Sequence, residues 1–187
     1  MRVIAGSAGG VRLAVPKRRV RPTMDRVKAA IFSSLGEAII GAHVLDLFAG
    51  SGALGIEALS RGAESVIFVE DDRQSVEAIE TNLAKTNLKG RVWRRDVFDF
   101  LRDRSNAPQF QIIFADPPYE KVRHGGSYTE KLLENENLPQ LLDPNGIFVL
   151  ENRPGEDLSD TQLWHLVRQK RYGATEVLFL SKSEIEN

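Results

Sequence analysis

The stretch Val44-Leu45-Asp46-Leu47-Phe48-Ala49-Gly50-Ser51-Gly52-Ala53-Leu54-Gly55-Ile56-Glu57-Ala58-Leu59-Ser60-Arg61-Gly62 carries the strongest fold signal in the chain. Its first five residues are a short, mostly apolar run that ends in turn residues, which predicts a buried strand. Gly50, Gly52 and Gly55 follow in the spacing G-x-G-x-x-G. Ala53 to Arg61 is helical in composition, and Gly62 can stop the helix. Glycines in a strand-to-helix turn let the backbone approach a ligand closely, and the free N–H groups of the helix start point toward it.

Downstream, the same alternation repeats. Ser65 to Val69 reads as a second strand closed by Glu70, and Ser75 to Lys85 as a helix with Val76, Ile79 and Leu83 on one face. Arg91 to Arg94 is a third strand, and Asp96 opens a short helix containing Val97 and Leu101. Phe110 to Ala115 is a fourth strand ending at Asp116, and Gly146 to Leu150 a fifth. Leu163 to Arg168 and Glu176 to Leu180 follow as sixth and seventh, with a turn at Tyr172-Gly173. Strands alternating with helices imply a doubly wound, mostly parallel α/β sheet. The last two strands have only a turn between them, which predicts an antiparallel strand inserted at one end.

Upstream, residues 2–15 read as a glycine-turned hairpin and Pro16 to Pro22 as a basic linker. Thr23 is the expected cap of a helix carrying Val27, Ile31, Phe32 and Leu35, which Gly36 or Gly41 ends. Residues 1–28 hold Arg2, Arg12, Lys17, Arg18, Arg19, Arg21, Arg26 and Lys28 against Asp25 alone, in a chain of net charge −1. The rest is therefore acidic, and the split suggests that this segment meets a polyanion.

The length of 187 residues suits one domain, divided into a basic extension over 1–35 and a catalytic core over 36–187. The absence of cysteine excludes a disulfide framework, a thiolate zinc site and a cysteine nucleophile. His43, His124 and His165 lack metal-ligand spacing, so no metal is expected. No apolar run reaches the ~18 residues of a membrane span and no signal peptide opens the chain, so a soluble cytoplasmic protein is expected.

Glu70 stands twenty positions after Gly50, where an acid can accept hydrogen bonds from ribose hydroxyls. Loop and acid together predict a nucleoside-containing cofactor, either a dinucleotide or S-adenosylmethionine. Asp46, in the strand leading into the loop, can receive a cationic amino group or cap the turn. Asp96, at the end of the third strand, can meet an adenine amine or serve as a plain helix cap.

Asp116-Pro117-Pro118-Tyr119 is the most specific feature. It follows the fourth strand, on the carboxyl edge where open α/β sheets bind ligands. The Asp116 carboxylate and the Pro117 carbonyl can each accept one N–H of a planar amine. Proline stiffens the local chain, and Tyr119 offers a face on which a base stacks. An amine conjugated to a ring is a poor nucleophile. Two fixed acceptors favour its pyramidalisation and stabilise the charge that develops on nitrogen.

Asp46 to Ala63 and Asp116 to Tyr119 resemble the class I S-adenosylmethionine-dependent amino-methyltransferases. More narrowly, the chain resembles the bacterial 16S rRNA guanine-N2 methyltransferases. Arg2-Val3-Ile4-Ala5-Gly6 and Arg21 to Val27 are similar to that family's opening, and Tyr172-Gly173 before a final strand to its end. The resemblance implies a seven-stranded Rossmann-like fold, S-adenosylmethionine as cofactor, and a guanine N2 of 16S rRNA in the small ribosomal subunit as target. By position it implies cofactor contacts at Asp46, Phe48, Ala49, Gly50, Ser51, Gly52, Glu70, Asp96 and Val97. It implies catalysis at Asp116, Pro117 and Tyr119, and RNA contacts at Lys17, Arg18, Arg19, Arg21, Thr23 and Arg26. A monomer is expected.

Rival readings remain at this point. Methylation of adenine N6 shares the four-residue motif, and methylation of a protein glutamine is a further rival, though such enzymes more often carry Asn in place of Asp116. An NAD(P)-dependent oxidoreductase explains the loop and Glu70, but not Asp116 to Tyr119. A non-catalytic rRNA assembly factor explains the basic segment alone.

Overall fold

The central strands are apolar on both faces because each has helices on either side. The computed structural model describes residues 1–16, 25–103, 109–118, 126–154 and 162–183. Its elements in chain order are α1 (Asp25–Leu35), a 3-10 turn (Gly36–Ile39), β1 (His43–Leu47), α2 (Ala53–Ser60), β2 (Ser65–Glu70), α3 (Arg73–Thr86) and β3 (Arg91–Arg94). They continue with α4 (Val97–Arg102), β4 (Phe110–Ala115), α5 (Tyr128–Leu133), α6 (Leu138–Leu141), β5 (Leu142–Asn152), β6 (Trp164–Tyr172) and β7 (Thr175–Lys182).

The strands form one seven-stranded sheet in the order β3-β2-β1-β4-β5-β7-β6. The first five in that order are parallel. β7 is antiparallel to both β5 and β6 and lies between them, as the closing turn predicts. Side chains alternate along each strand. Val44, Val66, Phe68, Ile112, Phe114, Val149 and Val177 meet α1, α2, α3 and the N-terminal segment. Leu45, Leu47, Ile67, Val69, Ile113, Ala115 and Leu150 meet α4, α5 and α6.

Two short helices, α5 and α6, are not expected from periodicity. At six and four residues they are too short to display it. The local signal for α5 is its capping box, in which the Ser127 side chain accepts from Glu130 N–H and Glu130 reaches back to Ser127 N–H. β5 and β6 run longer than expected, because pairing with β7 carries both past the C-terminal ends of their apolar segments and Leu142, at the start of β5, pairs with Phe110 of β4. α1 ends at Leu35, and the expected cap Thr23 lies outside the described residues.

The N-terminal segment forms the expected glycine-turned hairpin. Its arms share an antiparallel bridge, Arg2 to Arg12, and Val3 N–H donates to the Val11 carbonyl and Leu13 N–H to the Met1 carbonyl. The hairpin packs along α2, with Val3 and Leu13 buried. Ile4 and Ala5 N–H donate to the Glu57 carboxylate at 2.7 and 3.0 Å, and Ala8 N–H donates to Ser60 Oγ. Lys28 departs from the expected basic surface. It is fully buried, 3.2 Å from Glu57, and donates to the Arg2 carbonyl. It is therefore unavailable to a polyanion.

Candidate active site

Register alignment assembles the site. Leu47 of β1 pairs with Val69 of β2 and with Ala115 of β4, and Ala115 pairs with Leu150 of β5. One position further along, the chain reaches Glu70, Phe48, Asp116 and Glu151 on the same edge. Residues scattered over the sequence thus meet because four parallel strands run in register to one edge of the sheet.

The turn after β1 is built from backbone constraints. Gly52 caps α2 with φ 77°, in the left-handed region that glycine tolerates. Gly55 has no room for a side chain, since a Cβ there would lie 2.3 Å from the Phe68 ring. Asp46 is 2% exposed, and its Oδ2 accepts from Gly55 N–H at 2.9 Å. Asp46 thus ties the helix start, as a cap does, and it also lines the cavity. Burial holds its carboxyl well above the usual carboxylate range, and the neighbouring Asp116 and Glu70 charges add to that rise.

Glu70 braces the loop from the next strand. Its Oε2 accepts from Gly50 N–H at 2.7 Å and its Oε1 from Asp72 N–H at 3.0 Å. A carboxylate has about four acceptor positions, so capacity for ribose hydroxyls remains. Burial raises its pKa, with a contribution from Asp71, against the two backbone bonds. Asp96 Oδ1 accepts from Phe98 and Asp99 N–H at 2.8 and 3.0 Å, which makes it the cap of α4. Both bonds fall on one oxygen, and Asp96 also lines the cavity.

One cavity of about 440 Å³ gathers most of the expected site. Asp46, Phe48, Ala49, Gly50, Ser51, Glu70, Asp96, Val97, Asp116 and Pro117 all line it. Gly52 does not. A Cβ there would meet the Ile56 and Ile79 side chains, so its contribution is the shape of the turn. Tyr119, Lys17, Arg18, Arg19, Arg21 and Thr23 lie outside the described residues, and Arg26 is exposed on α1. Ala53 and Leu54 of the glycine loop and Pro118 of the Asp116 motif also line the cavity, and the wall residues that sequence reasoning missed are Met1, Asp71, Asp72, Ser75, Tyr128 and Arg153. Asp71 and Asp72 directly follow Glu70 and were open to the same inference. Tyr128 and Arg153 carried no local signal.

A second constraint joins the loop to the N-terminal segment. Asn82 of α3, fully buried, donates to the carbonyls of Ser51 and Ala14 and accepts from Ala14 N–H. Ser51 Oγ stands 3.7 Å from the Met1 sulfur.

Comparison with known proteins agrees with this geometry. The family profile described as "Conserved hypothetical protein 95" matches residues 1–181. The chain belongs to this family. Ribosomal RNA small subunit methyltransferase D of Haemophilus influenzae is 34% identical over 177 residues, which cover 92% of this chain and 89% of that protein. A Thermus thermophilus protein described as hypothetical superposes with a TM-score of 0.80 at 29% identity, over 97% of this chain and 99% of the other. A T. thermophilus 16S rRNA N2 methyltransferase, solved in complex with AdoMet and guanosine, superposes with a TM-score of 0.70 at 28% identity. That match covers 89% of this chain and 44% of the larger protein. The sheet found here is thus the Rossmann-like sheet of a methyltransferase neighbour.

No helix among the described residues is long and apolar enough to cross a membrane. The described residues hold no group of three or more His, Cys, Asp or Glu arranged for a metal ion.

Proposed function

We propose that this protein transfers a methyl group from S-adenosylmethionine to the exocyclic N2 amine of a guanine in 16S rRNA of the small ribosomal subunit. The observation that carries the reading is the charge of the cavity. Asp46, Glu70, Asp71, Asp72, Asp96 and Asp116 share its wall with one basic residue, Arg153. S-adenosylmethionine brings an ammonium and a sulfonium against one carboxylate, and this net positive charge is offset by the wall's carboxylates, of which Asp46 is buried. A dinucleotide brings a pyrophosphate, which six carboxylates would repel. The donor set therefore fits the methyl donor and disfavours the oxidoreductase reading.

Each residue then has a task. Asp46 faces the cationic end of the cofactor, while Gly50, Ser51, Phe48 and Ala49 shape the floor beneath it. Glu70 accepts from the ribose hydroxyls, and Asp96 with Val97 flanks the adenine. When bound, S-adenosylmethionine supplies a methyl carbon on a positively charged sulfur. Asp116 and the Pro117 carbonyl accept the two N–H groups of the target amine and direct its lone pair at that carbon. As the new N–C bond formed, the S–C bond would break to leave a neutral thioether, and the positive charge growing on nitrogen would be stabilised electrostatically beside the Asp116 carboxylate until the surplus amine proton passed to solvent. Tyr119 follows in the motif as a stacking surface for the base.

Guanine is favoured over adenine by kinship. The relative of Haemophilus is named for the small subunit, and the Thermus N2 methyltransferase was solved with guanosine. Lys17, Arg18, Arg19, Arg21, Thr23 and Arg26 supply phosphate contacts. Residues 1–35 and 36–187 work as one domain, since Val3, Val27 and Phe32 share a core cluster with Val44 and Phe114. We infer a monomer that acts in the cytoplasm.

The test is tritiated methyl transfer from S-adenosylmethionine to small subunits that lack the modification, followed by nucleoside analysis. Recovery of N2-methylguanosine is expected. Label in N6-methyladenosine or in protein would overturn the assignment.

A further inference from the structure

We propose that Tyr128 is a substrate residue, whose ring forms the wall against which the target base lies while Asp116 and Pro117 hold its amine. This inference rests on the methyl-transfer reading above and adds a residue to it. Tyr128 lines the same cavity as Asp116 and Pro117.

The ring is held rigidly. It stacks on Phe98 with centroids 6.1 Å apart and planes inclined by 25°. It meets Phe48 almost perpendicularly at 5.6 Å, and Phe48 and Phe98 are 6.3 Å apart. Such arrangements favour the aromatic quadrupoles. Phe48 makes its contacts from a backbone φ of 55°, a left-handed conformation that a bulky residue rarely adopts. Strain of this kind persists only where surrounding structure enforces it, and it concentrates at functional sites. The strained residue and the rigid ring thus belong to one cluster on the cavity wall.

The placement of α5 distinguishes the two ends of the cavity. The next residue, Thr129, donates a 3.2 Å hydrogen bond from Oγ1 to Asn152 Oδ1, at the end of β5, and both side chains are buried. Gly50, Glu70 and Asp96 follow β1, β2 and β3, on one side of β4 in the strand order. Thr129, next to Tyr128, is fastened to β5, on the other side of Asp116, while the Tyr128 ring itself contacts Phe48 and Phe98 on the cofactor side. The ring thus bridges the two sides, and a ligand that extends from Glu70 toward Asp116 meets it where the cofactor and acceptor subsites join. A flat, preorganised aromatic surface there suits a planar base, which must be extruded from its stack before its amine can react.

The experiment compares Tyr128→Leu, which keeps bulk and loses the aromatic plane, with Tyr128→Phe, which keeps the plane. S-adenosylmethionine affinity is measured by calorimetry, and kcat/KM on unmodified small subunits by methyl transfer. Tyr128→Leu is expected to lose ~5–150-fold in kcat/KM, the range for one base–aromatic stack, with cofactor affinity within about twofold of wild type. Tyr128→Phe is expected to stay near wild type. If the leucine variant fails a thermal-melting check, Tyr128→His makes the same comparison with a smaller ring, and a partial loss is expected. Cofactor affinity that falls in parallel with kcat/KM would place the ring in the cofactor subsite and overturn the inference. Full activity in the leucine variant would overturn it equally. Failure of wild-type enzyme to methylate the subunit would instead remove the reading on which the inference rests.

Discussion

Glu70 and Gly50 are joined by a 2.7 Å hydrogen bond from the glycine N–H to Glu70 Oε2. The acid at the end of β2 therefore shapes the loop after β1 as well as facing the cavity. A second bond from Asp72 N–H fixes its other oxygen, so the carboxylate is preorganised before any ligand arrives. Loss of Glu70 should thus act twice, through the ligand contact and through the loop.

Glu70→Ala is expected to weaken S-adenosylmethionine binding by ~10–150-fold, the equivalent of one hydrogen bond to a charged group. Glu70→Gln should fall between that variant and wild type, since its amide keeps one acceptor oxygen. Calorimetry reads both. Tight NAD binding with none for S-adenosylmethionine would contradict the assignment.

Asp116→Ala is expected to lose turnover while retaining the cofactor. Removing one preorganised acceptor for developing charge typically costs ~10²–10³ in rate. Single-turnover methylation, paired with calorimetry, separates the two effects. Near-normal methylation by the variant would exclude the proposed role.

Asp46 makes cofactor binding depend on pH. Burial holds its carboxyl above the ordinary range, so it keeps its proton to higher pH than a free aspartate does. A cationic ligand favours the carboxylate, lowers its pKa toward normal and releases a proton on binding. Affinity should therefore tighten as pH rises through the raised pKa, and Asp46→Asn should flatten that dependence. The same raised pKa affects folding in the opposite direction. The native state holds a proton that the unfolded chain has already lost, so this stabilising contribution fades as pH rises through the folded pKa. Calorimetry across pH, in buffers of different ionisation enthalpy, tests the proton release.

Replacing Lys17, Arg18 and Arg19 with alanine is expected to raise KM for the small subunit. Each lost phosphate contact should reduce the log–log salt slope by roughly 0.7–0.9, with S-adenosylmethionine affinity within about twofold of wild type. Parallel salt slopes with unchanged KM would show these charges to be a solvated face.

Glu57 is the hub of the N-terminal clamp. It accepts from Ile4 and Ala5 N–H and pairs with Lys28 and Arg61. Glu57→Ala leaves Lys28 buried without its counter-ion and is expected to destabilise by ~3–5 kcal/mol in denaturant unfolding. Lys28→Met is expected to cost less, because Arg61 and the two amides still satisfy Glu57. Equal losses would show that the hub is not the carboxylate.

The alternation of strands and helices was legible in the amino-acid order alone, and with it the edge on which the site lies. Arg91–Arg94 and Phe110–Ala115 appear as strands with the boundaries expected of them. Glu70 and Asp116 stand at strand ends as predicted. These features are local: apolar runs that end in glycine, acid or proline carry their meaning within a few residues. The remainder emerges only from packing. Lys28 looks like surface charge until Glu57, on a different helix, is placed against it. Asp46 can be read from the sequence as a ligand contact or as a cap, and only the packing of α2 presents Gly55 N–H to it. Tyr128 lies on a helix too short to show periodicity, and it joins Phe48 only because β1 and β4 lie side by side and α5 is pinned to β5 by Asn152. Each of these partners is distant along the chain. Sheet register, set by burial on both faces, brings them together.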